Sequence, residues 1–169
     1  MLQIIGVGLV GLCTVWGAAE GIRLLRRRAK NISDLERGVS LLRQELELAP
    51  VSMEQMMFRM ENVCEGEAKK LFFEFRKKLC ELEYRSACVL WKESVEGLDN
   101  IPTEIRNILT SIGNVLGRYD MNEQVESLRL AEQRLGQVRQ QEWEKLRQRE
   151  KLFWALSTSA GGFLIILLI

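Results

Sequence analysis

Four cysteines and a short glycine pattern are the residues of this chain with the widest scope for chemistry. Gly6, Gly8 and Gly11 stand in a GxGxxG spacing behind the apolar run at 2–5, the arrangement with which a backbone turn can cradle a dinucleotide's pyrophosphate. That chemistry needs a strand before the glycines, a helix after them, and a second strand ending in an acid. The chain runs instead into Arg26-Arg27-Arg28-Ala29-Lys30-Asn31, so a glycine-rich helix accounts for the match. Cys13, Cys64, Cys80 and Cys88 form no CxxC pair and read as small, half-buried thiols of a reducing compartment. Histidine is absent, which removes the commonest general base and the commonest metal ligand together. The acid pairs Glu45/Glu47, Glu65/Glu67 and Glu81/Glu83 are spaced by two, so on a helix they point to different sides. No catalytic, cofactor-binding or metal-ligating residue is assigned. The chain reads as a non-enzyme.

The elements that would position any site are helices. Prolines occur only at Pro50 and Pro102, and apolar residues recur at three- and four-residue spacing throughout. Ser33-x-x-Glu36 is a capping box that would open a helix carrying Leu35, Val39, Leu42 and Leu46, ended or bent at Pro50. Ser52-x-x-Gln55 opens the next, with Met53, Met56, Met57, Met60 and Val63 as its apolar stripe. Ala68, Leu71, Phe72, Phe75 and Leu79 give the strongest amphipathic signal. A fourth helix carries Val89, Leu90, Trp91 and Val95, and ends at the break Gly97–Pro102. Thr103 caps a fifth, closed by Gly117 in a left-handed conformation. Asp120 opens a sixth with Val125, Leu128, Ala131, Leu135 and Val138 on its packing face. Between Gly136 and Gly161 neither glycine nor proline interrupts it, so one helix is expected from about Met121 to Ile169, its middle an exposed stalk.

Both ends are apolar. Leu152 to Ile169 carries no charge over eighteen residues, roughly 27 Å of helix at about 1.5 Å per residue, near a bilayer's hydrocarbon thickness. Leu2 to Ile22 carries one charge, Glu20, and Arg23, Arg26, Arg27, Arg28 and Lys30 follow it. The expectation is all-α: a cytosolic six-helix bundle over 23–151, flanked by transmembrane helices at 1–22 and 152–169. The flanks 23–30 and 139–151 hold ten basic and three acidic residues, a net of +7, and residues 31–138 hold a net of −5. By the positive-inside rule both flanks stay cytosolic and both termini lie outside. An acidic body argues against nucleic acid. A secretory leader would want a basic start, which is missing, although Gly17-Ala18-Ala19 keeps cleavage of the first segment open. Gly17-x-x-x-Gly21, Gly6/Gly8/Gly11 and Gly161-Gly162 would let membrane helices meet closely, a route to a homo-oligomer.

Leu116-Gly117-Arg118-Tyr119-Asp120, followed by Gln124 and Leu128, resembles the L-G-x-x-D…Q…L signature of the stage III sporulation protein AB family. The length, the apolar ends, the proline after Leu35–Leu46 and Trp91 before the Gly97 break are similar too. The resemblance implies a component of the channel apparatus between mother cell and forespore in endospore-forming bacteria. It also implies likeness to the platform proteins of type II secretion and type IV pilus machines, which contact a hexameric secretion ATPase. The chain would then be a non-catalytic platform in the mother-cell membrane, docking that ATPase beside other channel components. A membrane-anchored adaptor for a soluble regulator is the alternative. The charges opposite the phenylalanine stripe are mainly basic, so Lys69, Lys70, Lys77 and Lys78 are the candidate partner-binding residues. Leu116, Gly117, Asp120, Gln124 and Leu128 read as structural.

Overall fold

The computed structural model describes the backbone of residues 2–48, 52–81, 85–117 and 120–168; among these the side chains of 2–19, 154, 157–158 and 160–168 are outside the described set. Six helices and no strand occur among the described residues: α1 (Leu2–Leu48), α2 (Met53–Val63), α3 (Gly66–Cys80), α4 (Ala87–Glu96), α5 (Thr103–Gly113) and α6 (Met121–Leu168). The chain divides into two compact units, Met1–Ala29 with Gln141–Ile169, and Lys30–Gln140.

The local signals at the helix starts act in several ways. Ser52 and Ser86 cap α2 and α4, their hydroxyls accepting from Gln55 N at 3.3 Å and Val89 N at 3.4 Å. Pro102, rather than Thr103, holds the cap position of α5 and offers no side-chain bond. The break before it turns on Asn100, whose φ of 53° is one that asparagine tolerates well. Ser33 starts no helix, because α1 runs unbroken through it. Ile22, Leu25, Ala29, Ile32, Leu35 and Val39 keep three- and four-residue spacing across the site, and with no glycine or proline between Ile22 and Arg37 the longer helix wins over the local box.

Within Lys30–Gln140 the core is apolar and aromatic. Trp91, Phe72 and Phe75 are fully buried, each removing about 1.5–3 kcal/mol of side-chain surface from water. The Trp91 ring meets Phe75 edge-on at 5.0 Å and 89°, and its indole N–H donates to Leu109 O at 2.7 Å. Gly113 is what lets that indole reach α5, since a Cβ there would stand 2.6 Å from Trp91 Cδ1. Gly38 does the same for α1 against α3, where a Cβ would lie 2.8 Å from Ala68 Cβ. Met56, Met57, Met60, Leu71, Leu128 and Leu135 fill the remaining volume. Val63 and Val89 do not join them. They are 58% and 45% exposed, at the last turn of α2 and the first turn of α4, where the packed face rotates away from the core.

The other unit is held differently. Arg26 donates to Glu150 through Nε at 2.9 Å and Nη2 at 2.6 Å, and Arg28 Nε stands 3.7 Å from Glu142. Ala29 and Leu146 are buried, and so is Glu142, whose carboxylate also takes Lys145 at 2.7 Å. The charged stretch of α6 is therefore a partner for α1 rather than an exposed stalk.

Candidate functional site

Three surfaces bear on function. The first is the turn from α5 into α6. Val115 N and Leu116 N both bond Ile112 O, at 3.0 and 3.2 Å, so the end of α5 tightens, and Gly117 at φ +80° reverses the chain. Asp120 Oδ1 then accepts from Asn122 N at 2.9 Å and Glu123 N at 3.3 Å, satisfying two free donors of α6. Leu116, Gln124 and Leu128 are buried, at 5%, 6% and 0% exposure. Arg118 and Tyr119 lie outside the described residues. The motif residues hold helices together and present no reactive group.

A second surface is the clasp at the end of α4. Arg106 sends its guanidinium to the carbonyls of Val95 and Glu96, each at 2.9 Å, and of Leu98 at 3.0 Å. Val95 and Glu96 close α4 and Leu98 follows it, so the guanidinium sits at the helix's C-terminus, where a cation suits the dipole. Sequence reasoning missed Arg106, since nothing in its spacing announces a partner ten residues back.

The third surface is the outer side of α3. Of the four lysines expected to bind a partner, two are tied up internally. Lys70 donates to Asp99 at 2.8 Å, which holds the Asp99 carboxyl below the usual range, and Lys78 stands 3.8 Å from Glu93. Arg76 donates to Glu61 at 2.7 Å, and Arg85 pairs with Glu93. Lys69 and Lys77 are exposed, and neither has an ion-pair partner among the described residues. The structure thus splits the expected patch, leaving two of its four lysines available.

A family model for stage III sporulation protein AB matches residues 3–169. The chain belongs to the stage III sporulation protein AB family. A solved structure of a stage III sporulation protein AB shares 18% identity with it at a TM-score of 0.64, covering 72% of this chain and 97% of that one. At that identity the likeness is one of fold. No curated protein sequence matches. In this member of the stage III sporulation protein AB family, no group of three His, Cys, Asp or Glu among the described residues could hold a metal ion. Nor is any helix among them long and apolar enough to cross a membrane. The spans expected at 1–22 and 152–169 fall mostly on residues whose side chains are outside the described set.

Proposed function

We propose that this sporulation-family protein is a non-catalytic membrane platform of the mother cell–forespore channel apparatus, docking a secretion-type ATPase. The observation that carries the reading is the continuity of α1 and α6. They run 47 and 48 residues, and each holds bundle residues and one of the apolar segments on a single helix. A bundle joined in this way to two apolar runs, each with a basic flank, suits a protein seated on a bilayer through both ends. The exposed face of α3, with Lys69 and Lys77 free of ion pairs among the described residues, is the part of the bundle suited to a soluble partner.

Co-purification of the full chain from membranes of sporulating cells, with mass spectrometry of what accompanies it, tests the docking. Recovery of the ATPase with other channel components is expected. A soluble regulator recovered in its place would favour the adaptor reading. Orientation is tested by cysteine labelling at position 99, where the native aspartate side chain is 75% exposed. An impermeant reagent should leave that cysteine unmodified in intact cells, and modification would reverse the topology.

A further inference from the structure

α3 carries apolar surface that the core does not use. Phe73 is 40% exposed and Phe58 on α2 is 55% exposed, although Phe72 and Phe75 beside Phe73 are buried. Both exposed rings neighbour one arginine. The Arg76 guanidinium lies 5.6 Å from the Phe58 ring centroid, and Arg76 is one turn beyond Phe73 on α3. Lys69 and Lys77 stand one turn to either side of Phe73, on the same face. Both ammonium groups are free among the described residues, and the carboxylates at one-turn spacing, Glu65, Glu74 and Glu81, do not come within ion-pair distance of them.

An exposed aromatic bracketed by two unsatisfied cations defines what would complete it. Eight residues of helix separate the two lysines by about 12 Å, two turns plus a residue. We propose that Phe58, Phe73, Lys69 and Lys77 form a docking surface for an acidic amphipathic helix of a soluble protein, its apolar side chain seated on the rings and its two carboxylates, two turns apart, reaching the lysines. A lipid surface fits the geometry poorly. Two cations are too few for stable attachment to anionic headgroups, which takes a cluster of about four to eight. The surface rests on the docking reading only in requiring a soluble partner, and it names what that partner must present.

The test places the photoreactive residue p-benzoylphenylalanine at position 73 of the full chain in sporulating cells, and sequences the cross-linked peptide. The expected adduct is with a soluble protein, through a peptide with apolar residues and carboxylates at helical spacing. Lys69→Glu with Lys77→Glu should lower its yield about tenfold at unchanged helix content, and reversing the partner's two carboxylates to lysine should restore it. An adduct with lipid or with a second copy, no adduct, or one indifferent to the lysine reversal overturns the proposal. An acidic soluble partner that is not the ATPase would support this surface and remove the ATPase reading. Purified ATPase binding the Phe73→Ala, Lys69→Glu, Lys77→Glu chain as tightly as the native one would do the reverse.

Discussion

The same helix, α6, packs by two different kinds of physics along its length. Within the bundle unit its inward positions are Leu128, Ala131, Leu135 and Val138, all buried and apolar. One turn later, in the other unit, the equivalent position is Glu142, buried to 9% exposure between Arg28 and Lys145. Arg28 Nε is itself buried there with no hydrogen-bond acceptor among the described residues. The spacing is unchanged, and a carboxylate takes one inward position before Leu146 resumes the apolar face. An apolar contact is indifferent to ionic strength, whereas a partly exposed ionic one is screened by it, so the two units should answer to different perturbations.

The largest effect is expected from breaking the bundle's aromatic centre. Trp91→Ala should cost about 3–5 kcal/mol, from the ring's burial and the lost bond to the Leu109 carbonyl, read as a lowered denaturation midpoint with little salt dependence. Next comes the cap: Asp120→Ala should cost about 0.5–2 kcal/mol, seen in thermal melts, and Asp120→Asn should recover most of it. Abolished function at an unchanged melt would point instead to a partner contact at Asp120.

In the paired-helix unit the expected effects are smaller and of a different kind. Spin labels on exposed positions 27 and 147 should report closer pairing at low salt than at high salt. Glu142→Leu should change stability by no more than about 1 kcal/mol while removing that salt response, and Glu142→Lys should separate the labels at any salt. The outermost pair, Arg26–Glu150, has its arginine side chain 65% exposed, and Arg26→Ala should cost below about 1 kcal/mol.

The smallest effect is one of pH, back in the bundle. Burial pushes the Asp34 carboxyl above its ordinary value, against the pull of Lys30. A carboxyl raised on folding favours the folded state below its unfolded pKa and loses that contribution as pH rises through the folded value. Asp34→Asn should therefore raise the melting temperature at neutral pH, and the gap should close as the pH falls below the carboxylate range. A gap that widened on acidification would reverse the assignment.

Helix identity was legible in the sequence because apolar periodicity and burial act on the same residues, as at Leu71, Phe72 and Phe75. What stayed hidden depends on which surfaces meet. Nothing in the spacing of Gly38 and Gly113 says that one faces Ala68 and the other an indole. The Ser33 capping box misled because a helix start is decided by what precedes it as well as by the box. On the candidate surface, counting charges found Lys69 and Lys77 but could not see Asp99 and Glu93 taking up Lys70 and Lys78. Phe73 could have been found: it sits off the buried stripe, four residues from each free lysine.

The pairing of Glu36 with Arg139, 103 residues apart, and of Arg43 with Glu132, 89 apart, bears on how the chain is made. The contacts among α2, α3, α4 and α5 are between neighbours in sequence and can form while the ribosome is still working. The contacts of α1 with α6 must wait until residues 132 and 139 emerge, after α1 has met α2 and α3 through Glu45–Arg59 and the Gly38–Ala68 approach. By then the glycine-rich leading segment has long left the exit tunnel. For most of its synthesis the nascent protein is a half-built bundle with an exposed apolar groove, and closing that groove is the work of its last helix.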